Sequence, residues 1–159
     1  MAIRKIVTEE DGLLRKKSRE VTEVNERIIE LLDDMKDTLE KAEGVGLAAP
    51  QVGILRRIFI INQGIEEDEL DFVEFINPRI VKQSENEVEM TEGCLSVPGR
   101  SGNVTRPETV VVEAFDREGN LFEYEADGLM ARCVFHEYDH LDGILYVDKA
   151  TEMFENDDE

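Results

Sequence analysis

The stretch from Ala126 to Gly143, ADGLMARCVFHEYDHLDG, constrains the fold of this chain more than any other. It contains both of the chain's histidines, His136 and His140, in an H-E-x-x-H pentad with Glu137 between them. On a helix, residues four apart share a face with Cβ atoms about 5–6 Å apart, so both imidazoles can reach one ion. Asp127 is suited to cap the helix start and Gly143 to end it. Leu129, Cys133, His136 and His140 fall on one stripe, and Met130, Val134, Glu137 and Leu141 on the next. Apolar residues therefore cover much of the surface, which predicts a helix buried inside a domain. A lone histidine on such a face is ordinary core. A matched pair around a glutamate, on a helix with both end signals, points to a metal site. Two imidazoles seldom complete a metal shell, so a third ligand must come from elsewhere in the chain.

The remaining segments predict short strands around that helix. Ile28, Leu32, Met35, Leu39 and Ala42 repeat at helical spacing over 25–43, with Thr22 or Asn25 to cap the helix and Gly44 to stop it. Residues 3–22 show no clear period and read as an irregular arm. Residues 57–62 read as a buried strand, and 72–81 as another interrupted at Asn77-Pro78. Residues 88–90 lead into a loop over 92–99 with Cys94 at the bend. The strands 109–115 and 121–124 flank a hairpin turn at 116–120. The fold class is α+β: short, largely antiparallel strands around a central C-terminal helix, with one N-terminal amphipathic helix.

With 159 residues, 41% hydrophobic and 35% charged, the chain reads as one catalytic domain, residues 1–159, ending in a short acidic tail over 148–159. No apolar run approaches the roughly 20 residues needed to span a bilayer, and the N-terminus lacks the apolar core of a signal peptide. A cytoplasmic location with no membrane partner is expected. The net charge of −20 disfavours direct nucleic-acid binding. In that compartment the two cysteines, Cys94 and Cys133, suit metal ligation or burial better than a disulfide.

Candidate third ligands are Cys94, Cys133 and the many carboxylates. Cys133 would place its sulfur at i, i+3 and i+7 with the two histidines, which crowds a tetrahedron. Cys94 sits in a glycine-flanked loop and can turn its thiolate freely. A Cys/His/His set leaves one position open, as catalytic sites do; a closed structural site needs a fourth protein ligand.

Three segments, GVGLAAPQ (44–51), EGCLS (92–96) and HEYDH (136–140), together resemble the motifs of peptide deformylases in order and separation. The likeness runs from the first helix to Val147. It implies a compact α+β fold and removal of the formyl group from N-formylmethionyl polypeptides, with formate released. Cys94, His136 and His140 are then metal ligands and Glu137 the general acid/base. Gln51 and the backbone N–H of Leu95 are donors to the developing oxyanion. Gly44, Val45 and Gly46 line the edge on which substrate backbone lies. Leu129, Cys133, Val45 and Met90 shape the pocket for a methionine side chain. The implied cofactor is one divalent ion per chain, Fe2+ in the cell, with Zn2+, Ni2+ or Co2+ compatible with the same donors. The implied partners are N-formylmethionyl nascent chains. Many relatives carry a longer basic tail linked to ribosome docking, and this acidic ending argues against that route. Phe135 stands where the family often has Gln, and Arg132 is expected to snorkel outward or to tune the substrate rim. Two other readings stay open at this point. One is a zinc-dependent endopeptidase, since His136–Tyr146 runs H-E-x-x-H-x-x-G-x-x-Y. The other is a structural metal module that binds peptides.

Overall fold

A computed structural model describes residues 2–156. Helix α1 spans Glu26–Ala42, β1 Gly46–Ala48, β2 Ile58–Asn62, β3 Phe72–Gln83, β4 Glu87–Cys94, β5 Val97–Pro107, β6 Thr109–Phe115, β7 Leu121–Asp127, α2 Gly128–Leu141 and β8 Glu152–Glu155. One sheet has the order β1-β2-β3-β6-β7 and a smaller one the order β4-β5-β8; every pairing between these strands is antiparallel.

Strand alternation divides the core into two layers. On β2, Phe59 and Ile61 face α2, where they join Phe75, Val110, Val112 and Ala114 against Ala131, Val134, Phe135 and Leu141. Ile58 and Ile60 face the other way and meet Leu31, Leu32, Met35 and Leu39 of α1. Both faces of β2 are therefore buried, which is why it reads as a continuous apolar run. Phe135, unusual beside the pentad, is an ordinary member of the α2 layer.

Local signals act mostly as the residue types dictate, with informative exceptions. Asn25 caps α1 by accepting from the Ile28 N–H. The helix ends at Glu43 in a left-handed conformation (φ 57°), one residue before the expected Gly44. Asp127 stands at the N-cap of α2, yet its side chain makes no cap bond. Gly143 (φ +76°) ends the turn after α2, and a Cβ there would lie 2.4 Å from the Arg15 carbonyl oxygen. The buried face of α1 also carries Asp34 and Thr38, which the expected apolar stripe did not include. They hold the N-terminal arm: the Ala2 N–H donates to Asp34 Oδ1 (2.7 Å) and the Arg4 N–H to Thr38 Oγ1 (2.9 Å).

Three expectations are corrected. Strand β3 runs through Asn77-Pro78 instead of breaking there. Asn77 takes a left-handed backbone (φ 51°) within a register shift, and its amide side chain bonds both the N–H and the C=O of Val21, each at 2.8 Å. The bulge lets the strand absorb a proline. The loop expected over 92–99 shrinks to a bend, since β4 runs to Cys94 and β5 starts at Val97, and Glu152–Glu155 of the acidic tail pairs with β5 as an exposed edge strand. The end of the tail, 157–159, lies outside the described residues. No helix among the described residues is long and apolar enough to cross a membrane.

Candidate metal centre and cleft

Helix α2 presents His136 and His140 one turn apart, with ring centroids separated by 5.2 Å. The bend between β4 and β5 brings Cys94 to them from the smaller sheet. The ligating atoms of Cys94, His136 and His140 all lie within 4.8 Å of one another, and Cys94 Sγ is 3.4 Å from His140 Nε2. Of the candidate third ligands, the structure places Cys94 in this cluster and leaves Cys133 outside it.

A buried carboxylate backs the first imidazole. His136 Nδ1 lies 2.9 Å from Glu92 Oε1. A carboxylate accepts, so Nδ1 carries the proton and Nε2 keeps its lone pair for a cation. Glu92 is held by Arg106 through Nε (2.5 Å) and Nη2 (3.0 Å), and by Arg132 through Nη1 (2.6 Å). Arg106 reaches on to Asp139 of α2 at 3.0 Å. Burial alone would raise the Glu92 carboxyl; hydrogen bonds from His136 and Arg106, and the Arg106 charge, outweigh it and hold the group at about 2. Tyr146 stacks on the His136 ring at 5.9 Å and donates to the Arg100 carbonyl (3.2 Å). The expectation that Arg132 points outward is overturned: it is 6% exposed, and its guanidinium also bonds the Val104 and Val88 carbonyls.

The donor set fits a transition-metal ion. A thiol and two imidazoles are borderline-soft ligands, and a carboxylate hydrogen-bonded to the far ring nitrogen raises imidazole basicity. Burial disfavours the charged form of His136, yet hydrogen bonds with Cys94 and Glu92 hold it well above its ordinary value. Burial and the neighbouring His136 charge push His140 the other way.

A cleft of about 350 Å³ opens beside the cluster, lined among others by Gly44, Val45, Gly46, Gln51, Leu95, Cys133 and Glu137. Burial pushes the Glu137 carboxyl up to about 7, against the pull of the His136 charge. A Cβ on Gly46 would lie 2.6 Å from Cys133 Sγ and 2.9 Å from Glu137 Oε2, so only glycine lets strand β1 approach α2 here. Burial pushes the Cys133 thiol well above its ordinary range, which makes it a wall rather than a nucleophile. Gln51 is 1% exposed; its Oε1 accepts from the Ala48 N–H (2.9 Å) and its Nε2 donates to Ser96 Oγ (3.1 Å). Leu129, in the first turn of α2, and Met90, 41% exposed on β4, are not among the residues lining this cleft. Sequence reasoning gave no role to Glu92, Arg106, Asp139 or Ser96. The only local signal was the position of Glu92 and Ser96, each two residues from Cys94.

Comparison with known proteins agrees with this geometry. The family model for polypeptide deformylase matches residues 3–156. A peptide deformylase of Caldicellulosiruptor bescii is 55% identical over 150 residues, covering 94% of this chain and 87% of that protein. One from Natranaerobius thermophilus is 46% identical and covers 99% of both chains. A crystal structure of a peptide deformylase from Legionella pneumophila superposes with a TM-score of 0.88 at 44% identity, covering 94% of this chain and 87% of that one. The Ehrlichia chaffeensis peptide deformylase in complex with actinonin gives 0.88 at 41%, covering 95% and 90%. The likeness thus covers nearly the whole sequence and the whole surrounding fold, and the chain belongs to the polypeptide deformylase family.

Proposed function

We propose that this chain hydrolyses the formamide bond of N-formylmethionyl polypeptides, releasing formate and a free amino terminus, with Cys94, His136 and His140 holding one divalent cation. The observation that carries the reading is the convergence of those three donors beside Glu137 at the cleft. Strand β1 lies at the edge of its sheet, next to Gly44 and Val45 of the cleft wall. A substrate chain lies there as an added strand and brings its formyl group to the cluster. Val45 and Cys133 contact its methionine side chain; Leu129 and Met90 stand back from that contact.

When bound, the cation supplies Lewis acidity, which makes water a nucleophile near neutral pH. Glu137 takes the proton of the attacking water and returns it to the departing nitrogen. Burial raises this carboxyl above its ordinary value and so favours its holding the proton between the two steps. The Gln51 amide and the Leu95 N–H stabilise the charge that collects on the formyl oxygen. Fe2+ is the ion proposed for the cell, with Zn2+, Ni2+ and Co2+ accommodated by the same donors. The substrates are nascent chains, and the site of action is the cytoplasm.

The test is formate release from a formyl-Met tripeptide alongside metal analysis of the same sample. Glu137→Gln is expected to lower turnover by about 10²–10⁴-fold, the usual contribution of general acid–base catalysis, while one metal per chain is retained. Unchanged turnover would remove Glu137 from the mechanism. Anaerobic reconstitution with each ion in turn, followed by the same assay, decides the metal.

A further inference from the structure

Gln51 is the one oxyanion donor in the proposed reaction that is a side chain, so something must hold its amide in place. Its Oε1 is fixed by the Ala48 N–H at 2.9 Å. Its Nε2 has two partners: Ser96 Oγ at 3.1 Å and Cys94 Sγ at 3.6 Å. An amide nitrogen carries two N–H groups. One is therefore committed to the Ser96 hydroxyl, and the other points at the sulfur beside which the reacting oxygen must sit.

Ser96 is fully buried and has no access to substrate; it is absent from the cleft lining. It is anchored from behind by the N-terminal arm, whose Glu9 N–H donates to the Ser96 carbonyl at 2.9 Å. The same arm holds Gln51, the Val7 N–H donating to its carbonyl at 2.7 Å. Two arm residues thus fix the spacing between the 3-10 turn Ala49–Val52, which carries Gln51, and the bend that carries Cys94 and Leu95. We propose that Ser96 is a positioning residue: its hydroxyl takes one N–H of Gln51 so that the second is shared between the Cys94 sulfur and the formyl oxygen of the substrate. Binding of substrate transfers that second N–H from sulfur to oxygen without turning the side chain. The proposal rests on the reading of Gln51 as an oxyanion donor.

The experiment combines a double-mutant cycle with a spectroscopic readout on cobalt-loaded protein. Ser96→Ala is expected to lower kcat about tenfold with KM within a factor of about two, a fraction of the 10²–10³ that losing a whole oxyanion donor costs. The thiolate-to-cobalt charge-transfer band should shift to lower energy, because a sulfur that loses an N–H donor holds its electrons less tightly. Ser96→Thr keeps the hydroxyl and should restore both values. In a Gln51→Leu background, Ser96→Ala should have no further effect on kcat, since residues acting as a unit are not additive. An unmoved band in Ser96→Ala, or equal losses from Ser96→Ala with and without Gln51, would overturn the proposal. Full activity of Gln51→Leu alone would instead overturn the donor role on which it rests.

Discussion

At the scale of single residues, the link between two of the three sequence motifs runs through Glu92. It sits two residues before Cys94, accepts a hydrogen bond from the His136 Nδ1–H, and is clamped by Arg106 and Arg132. Removing the carboxylate would free the His136 ring, take the carboxylate partner from the buried Arg132 guanidinium and leave Arg106 with Asp139. Glu92→Gln, which keeps the shape but not the charge, is expected to weaken metal affinity about 10–100-fold, the usual cost of losing such a partner. A competitive chelator titration measures this, and an affinity equal to that of the parent would mean that Glu92 only fills space. The metal donors were legible in the sequence because a four-residue helical spacing is a local statement that the backbone obeys. Glu92 was not, because its partners lie 14, 40 and 44 positions away. The outward placement of Arg132 fails for the same reason. Helical spacing says which face a residue occupies, and the usual behaviour of arginine then argues for the surface. That the face meets a buried carboxylate and two strand carbonyls is a fact of tertiary structure.

At the scale of elements, α2 depends on how its C-terminal end is closed. The Leu141 carbonyl accepts from the Ser18 N–H (2.8 Å) and from Arg57 Nη1 (3.0 Å), so the arm and β2's flank satisfy a group the helix leaves open. Gly143 makes this possible by turning the chain against the Arg15 carbonyl with a positive φ. Gly143→Ala combines a left-handed alanine with a collision against backbone, and is expected to cost about 1–3 kcal/mol of stability. Thermal unfolding of the metal-free protein should register the loss; an undiminished Tm would show that the arm moves aside without cost. The helices and the strands β6 and β7 were readable because their burial alternates at their own period, and β2 because it is a continuous apolar run buried on both faces. Strand β5 was not: VPGRSGNVTRP carries two prolines, two glycines and few apolar residues, and owes its extended form to pairing with β4 on one side and β8 on the other. Strand β8 is exposed along its length, so neither periodicity nor burial announces it. Strand β3 reads from sequence as interrupted at Asn77-Pro78 because the rule against proline in strands does not foresee a bulge anchored to Val21.

At the scale of the whole molecule, ion pairs join layers that the apolar core packs but does not clamp. Glu74 of β3 binds Lys36 of α1 (2.8 Å) and Arg117 of the β6-β7 turn (Nε, 3.0 Å), and Arg117 also reaches Asp33 of α1 (2.7 Å). Burial alone would raise the Glu74 carboxyl, but hydrogen bonds from Arg117 and Lys36 and the charges of both hold it below its ordinary 4.5. A carboxylate whose folded value is depressed contributes stability that is complete above its unfolded value and is lost as pH falls through the folded one. Glu74→Gln has no such titration. The parent should therefore unfold at a higher temperature than Glu74→Gln at pH 7, and the gap should narrow steadily once the pH drops below about 4.5. Because two proteins are compared at each pH, relief of the −20 net charge on acidification affects both and cancels. A gap that stays constant from pH 7 through the acid range would show that this junction holds by shape and neutral hydrogen bonds, and that the layers around the metal helix are not fastened by charge.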